Sequence, residues 1–162
     1  MTTHPSRKPT VAILATGGTI AGSGSSSGRD SAYVSASIGI DDLVAAVPGL
    51  PHIADLTSEQ LLQIDSANMD DQGMLTLARR TSQLLATDDV GAVVVTHGTD
   101  TLEETAYLLN LGLNTTKPVV FVGPMRPPDA LSADGPRNLR HAIAVAASSK
   151  AAGEGVLAVM ND

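Results

Sequence analysis

The stretch Val93-Val94-Val95-Thr96-His97-Gly98-Thr99-Asp100-Thr101-Leu102-Glu103-Glu104-Thr105-Ala106 restricts the architecture more than any other part of the chain. Residues 91 to 95 form an apolar, largely β-branched run, the pattern of a strand covered on both faces as in a parallel sheet. The run ends in a polar turn that Gly98 can tighten, and a helical pattern opens behind it. Thr99, Asp100 and Thr101 are candidate caps for that helix, and Glu103 and Glu104 fall in its first turn, where they favour the macrodipole. Such a turn aims hydroxyls, a carboxylate and N–H donors into one crevice. Ligands of open α/β sheets bind outside the carboxyl ends of the strands, so Thr99 and Asp100 stand where a site is expected. The competing reading is that they only cap a helix.

The same alternation recurs along the chain. A buried-type strand, Thr10-Val11-Ala12-Ile13-Leu14-Ala15, breaks at Thr16-Gly17-Gly18-Thr19-Ile20-Ala21-Gly22, whose glycines let backbone approach a ligand. The G-x-G-x-x-G spacing of dinucleotide sites is absent, and a Gly/Ser segment from Ser23 to Asp30 follows instead of a helix start. That segment is either a lid carrying Tyr33 over the crevice or an exposed connecting loop. Residues 41 to 47 read as a short helix stopped by Pro48-Gly49, and 53 to 56 as a strand. The stretch from Leu61 to Met69 leads to another polar turn, after which Asp70 or Asp71 caps a helix. Its stripe is Met74, Leu77, Ala78, Thr81, Leu84 and Leu85, with Arg79, Arg80 and Gln83 off it. Further helices carry Leu102, Ala106, Leu109 and Leu113, and Leu139, Ala142, Ile143, Ala146 and Ala147, the second opened by Asp134-Gly135-Pro136. Strands are expected over 118 to 122 and 155 to 160, with an irregular segment from Gly123 to Asp129 after the first of them. The expected class is α/β, a mostly parallel sheet with helices on both faces and right-handed crossovers.

A chain of 162 residues suits one domain, read here as 10 to 162 behind a disordered tail of residues 1 to 9. Tyr33, Tyr107 and Phe121 are the only aromatics, so Val, Leu, Ile and Ala must build the core. A formal net charge of −7 without a Lys/Arg cluster argues against nucleic acid as a partner. Too few apolar residues precede Thr16-Gly17 for a signal peptide and no run is long enough to span a membrane, so the cytoplasm is the expected location. No His/Cys/Glu cluster has metal-ligand spacing, so no metal is expected, and no G-x-S-x-G elbow occurs. His97 is single, and a lone histidine beside a strand end is more often a packing residue than a ligand. Spacing alone supports a hydroxyl-rich small-molecule pocket.

Ala15-Thr16-Gly17-Gly18-Thr19-Ile20-Ala21-Gly22, the run from Thr96 to Ala106, and Met125-Arg126-Pro127 with Ser132-Ala133-Asp134-Gly135-Pro136 resemble the bacterial-type L-asparaginase family, essentially from Val11 to Asp162. The resemblance implies the Rossmann-like three-layer N-terminal domain of that family. It implies hydrolysis of L-asparagine to L-aspartate and ammonia through an acyl-threonine, without metal or organic cofactor, with L-glutamine as a second candidate substrate. By position, Thr19 matches the nucleophile and Tyr33 the lid tyrosine that hydrogen-bonds it. Thr99 matches the second active-site threonine. Asp100 matches the carboxylate that holds the α-amino group, and Ser66 the serine that binds the α-carboxylate, with Gly18 and Ala67 beside them.

The sequence departs from the family pattern in three ways. Ala67 stands where the family often has Gln or Glu, and Pro124 where it has alanine, which removes an N–H. A catalytic lysine and a second domain would follow residue 162, and the family assembles as a dimer of dimers, so the expectation is an N-terminal catalytic domain without its C-terminal partner. Two alternatives remain at this stage: the amidohydrolase subunit of a tRNA-dependent amidotransferase, and a non-catalytic small-molecule-binding or interaction domain.

Overall fold

The computed structural model describes residues 8–17, 39–127 and 130–161. The elements run β1 (Thr10–Gly17), α1 (Ile40–Ala45), β2 (Asp55–Ile64), α2 (Asp71–Leu85), β3 (Ala92–Thr96), α3 (Leu102–Gly112), β4 (Val119–Val122), α4 (Gly135–Ala146) and β5 (Val156–Val159), with short 3-10 turns at Leu50–His52, Ser66–Asn68 and Ser149–Ala151. The strands form one sheet in the order β2-β1-β3-β4-β5, and every pairing is parallel.

Strand alternation divides the core in two. Val11, Ile13, Val94, Val120 and Val122 face α1 and α4, meeting Ile40, Leu43, Leu139, Ala142, Ile143 and Ala146. Ala12, Leu14, Val93, Val95 and Phe121 face α2 and α3, meeting Leu77, Leu85, Leu102 and Leu109. The central strands β3 and β4 are buried throughout, as a strand between two helical layers must be. Each wholly buried Val, Leu or Ile contributes roughly 1.5–3 kcal/mol, so this aliphatic interior needs no aromatic beyond Phe121.

Two details differ from the sequence reading. β2 is a single strand from Asp55 to Ile64, shifted past the 53–56 stretch and running through Thr57-Ser58-Glu59-Gln60. It is the sheet edge and only partly covered, so Asp55, Thr57, Ser58 and Gln63 are exposed and its pattern is not that of a buried strand. The second difference is the hand of one crossover. The step from β1 to β2 goes toward one edge with α1 on the first face; the later steps go the opposite way, with α2 and α3 on the second face but α4 on the first. Reversing direction and face together preserves the hand, so three connections share one hand and β4–α4–β5 has the other. Such connections are right-handed in about 98% of cases, and the expectation of right-handed crossovers throughout fails at α4. On that face the helix packs Leu139, Ala142, Ile143 and Ala146 against the sheet.

Candidate functional site

β1 lies between β2 and β3, yet the turns that follow β2 and β3 touch. The Ser66 hydroxyl donates to Asp100 Oδ2 at 2.7 Å, and the Asp100 N–H approaches Ser66 Oγ at 3.3 Å. The Thr101 hydroxyl donates to the Ser66 carbonyl at 2.9 Å. These bonds strap the two turns together across the carboxyl end of β1, where the sheet order reverses and where open α/β sheets bind ligands. Asp65 shapes the β2 side of the strap by accepting the Ala67 N–H at 3.2 Å.

The strap overturns the helix-capping reading. Thr101 occupies the N-cap position of α3 but makes no side-chain cap bond, because its hydroxyl goes to Ser66. Its carbonyl accepts instead from the Thr105 hydroxyl at 2.8 Å. Asp100 is an exposed carboxylate held by a hydroxyl that is only 3% exposed as a residue. A carboxylate has roughly four lone-pair sites, so acceptor capacity remains for a cationic ligand group.

At the end of β1 the buried Thr16 hydroxyl donates to the Thr96 carbonyl at 2.9 Å, tying that end to β3. Gly17 then adopts φ 99°, a left-handed conformation that strains any side chain, which explains a glycine where the chain leaves the sheet. At the end of β4, a Cβ on Gly123 would lie 2.8 Å from the His97 carbonyl and 3.3 Å from Thr99 Cγ2. The β4-end loop therefore lies directly against the turn that carries Thr99.

Asp134 holds that loop. Its carboxylate accepts the Met125 N–H at 3.0 and 3.2 Å and the Arg126 N–H at 3.0 Å, and Asn138 Nδ2 donates to it at 2.9 Å and to the Gly123 carbonyl at 3.1 Å. Burial by itself raises the Asp134 pKa, but the N–H groups of Met125 and Arg126 and the Asn138 amide outweigh it and hold the carboxyl below its ordinary value. The sequence reading took Asp134 for a helix cap; it stands at the N-cap of α4 without capping it.

His97 is a packing residue. It is wholly buried, its ring lies 5.8 Å from that of Phe121, and Nδ1 is 2.7 Å from the Gly98 carbonyl. A carbonyl only accepts, so Nδ1 carries the proton and Nε2, which has no partner among the described residues, is a buried acceptor. Burial lowers the His97 pKa. A folded-state value below the unfolded value of about 6.5 means full stabilisation above that pH and loss as pH falls, because only the unfolded chain readily takes the proton. His97→Gln is expected to reduce the fall in the urea midpoint between pH 7.5 and 5.5, a fall to which one such site adds up to about 1.4 kcal/mol per pH unit. An unchanged pH dependence would contradict this.

Of the residues expected in the site, the structure brings Ser66, Thr99 and Asp100 to one end of the sheet. Ala67 sits exposed beside Ser66 and offers the crevice no polar side chain. Gly18, Thr19 and Tyr33 lie outside the described residues, as does the segment from Ser23 to Asp30. Among the described residues no cluster of His, Asp or Glu is placed to hold a metal ion, and no helix is long and apolar enough to cross a membrane. The sequence reading missed the Thr101 bond to Ser66 and the roles of Asp134 and Asn138.

Comparison with known proteins agrees with this geometry. The family model described as "Asparaginase, N-terminal" matches residues 10–162. The chain is 51% identical over 154 residues to L-asparaginase 2 of Bacillus subtilis, covering 95% of this chain and 41% of that protein. It is 53% identical over 152 residues to the glutaminase-asparaginase of Pseudomonas fluorescens, covering 94% and 42%. The crystal structure of a probable cytoplasmic L-asparaginase from Campylobacter jejuni superposes with a TM-score of 0.90 at 48% identity, covering 96% of this chain and 47% of that one. The chain thus spans less than half the length of these relatives. A parallel sheet whose crevice is strapped by Ser66, Asp100 and Thr101, and a match over nearly every residue, mean that this chain belongs to the asparaginase family and corresponds to its N-terminal domain.

Proposed function

We propose that this chain carries the substrate-binding and nucleophilic half of an amidohydrolase that converts L-asparagine to L-aspartate and ammonia. The observation that carries the reading is the Ser66–Asp100 pair at the carboxyl end of β1. An amino-acid zwitterion needs a fixed anion for its ammonium and O–H or N–H donors for its carboxylate, and the strap supports both on adjoining turns. In this reading the Thr19 hydroxyl attacks the side-chain amide carbon while a base takes its proton. The C–N bond then breaks, ammonia leaves with a proton, and an acyl ester on Thr19 remains. Water hydrolyses that ester, releasing L-aspartate and restoring the hydroxyl. Thr99 borders the reacting carbonyl, and Tyr33 hydrogen-bonds Thr19.

The name of the Pseudomonas relative supports L-glutamine as a further substrate. Ala67 brings no side-chain donor or acceptor, so Asp100 takes more of the α-amino group. A cytoplasmic location is supported by the description of the Campylobacter protein. Exposed Leu75, Tyr107, Leu108 and Leu111 on α2 and α3 support self-association into a homo-oligomer.

The test has two arms. Residues 10–162, exchanged for the matching segment of Bacillus subtilis L-asparaginase 2, are expected to give a chimera that releases ammonia from L-asparagine. The 162-residue chain alone is expected to release far less, because general acid–base help is worth roughly 10²–10⁴-fold and the resemblance puts that base beyond residue 162. A folded chimera without turnover would overturn the proposed reaction, and full activity of the isolated chain would overturn the need for the further segment.

A further inference from the structure

We infer that Asp134 is a positioning residue of this site: its carboxylate fixes the loop of residues 123 to 126 against the turn that bears Thr99, and so sets one wall of the crevice. The inference rests on the proposed function for what the crevice binds, but its structural part stands on the bonds themselves. A carboxylate that is 1% exposed accepts the N–H groups of two successive loop residues, Met125 and Arg126, together with the Asn138 amide. Asp134 forgoes capping its own helix to do so. Asn138, wholly buried one turn along α4, reaches back to the Gly123 carbonyl, so α4 grips the loop from both ends. Pro124 between them has no N–H and a fixed φ, which leaves the segment little freedom of its own. The gripped loop meets the other wall without clearance, since Gly123 has no room even for a Cβ against the His97 carbonyl and the Thr99 methyl. A loop released from Asp134 would not hold Thr99 in place.

Asparagine at 134 tests this selectively. Its amide group would present hydrogens where Asp134 Oδ2 or Oδ1 now accepts, facing the Asn138 amide or the backbone N–H groups. A second variant, Asn138→Ala, removes the bonds of Asn138 to Gly123 and to Asp134 and leaves the Asp134 bonds to the Met125 and Arg126 N–H groups. The experiment uses the full chain, ¹⁵N-labelled, with amide hydrogen exchange, chemical shifts and titration with L-aspartate. For Asp134→Asn, exchange at Met125 and Arg126 is expected to quicken by about tenfold or more while β1 and β3 amides keep their protection. The Thr99 and Asp100 signals should move, and L-aspartate should bind about tenfold more weakly, as a displaced recognition group implies. Asn138→Ala should move exchange at Met125 and Arg126, the Thr99 signals and the affinity in the same direction, by a smaller factor.

Unaltered Thr99 signals and affinity in Asp134→Asn would overturn the inference. So would quickened exchange at Met125 and Arg126 in Asn138→Ala with unaltered Thr99 and Asp100 signals, the outcome that decides the matter if Asp134→Asn does not fold. Absence of L-aspartate binding by the unmodified chain would instead count against the proposed function, with the exchange and shift data still judging the role of Asp134.

Discussion

Thr19→Ala is expected to lower ammonia release from L-asparagine by at least about 10³-fold in the Bacillus chimera, while L-aspartate binding stays within a few-fold. A threonine hydroxyl that forms the acyl ester cannot be replaced by a methyl group. Residual catalysis would come from the remaining groups that bind the substrate and stabilise developing charge, which is why binding should outlast turnover. The prediction has a structural motive in the strand before it. β1 ends in a threonine tied to β3 and a glycine in a left-handed conformation, an exit that only glycine makes without strain. Ammonia release near that of the unmodified chimera would remove Thr19 as nucleophile.

Asp100→Ala is expected to cost about 10–10²-fold in kcat/KM and, from a second source, to cost stability. Charge-assisted hydrogen bonds to the substrate ammonium are worth roughly 1.5–3 kcal/mol, and leaving a buried hydroxyl without its acceptor costs about 1–3 kcal/mol. The second source acts on Ser66, whose hydroxyl loses Asp100 Oδ2, and it should also lower the urea midpoint. Asp100→Asn separates the two: its amide oxygen can still accept from Ser66, so stability should be retained while affinity for the ammonium falls. The analogue of asparagine that lacks the α-amino group gives the decisive reading. The unmodified chimera should strongly prefer L-asparagine over it, and Asp100→Ala should lose that preference. Equal discrimination in both would show that Asp100 does not hold the α-amino group.

Much of this was legible in the chain because the signals are local. A strand buried on both faces needs an apolar run, so 91–95 and 118–122 stood out within a residue of the strands formed, and a helix packed on a sheet needs a stripe, so Leu77, Leu109, Leu139 and Ile143 did as well. Edge strand β2 was misplaced for the same reason: with one side uncovered, nothing obliges Thr57, Ser58 and Glu59 to be apolar. Their place after a buried strand also marked Thr99 and Asp100, and the family resemblance added Ser66.

By itself, then, the sequence determined the fold class, the core and the family, since each is written in periodicity or in contiguous motifs. The tertiary structure decided what the polar residues at the turns do. Hydroxyls and carboxylates at a helix start are good caps in isolation, and only a partner distant in sequence can divert them. Asp100 is diverted by Ser66 across the end of β1, Thr101 by the Ser66 carbonyl, and Asp134 by the backbone of Met125 and Arg126. The hand of the β4–α4–β5 crossover belongs with these, because an amphipathic stripe says that α4 packs on the sheet but not on which face, and only the packing puts it beside α1.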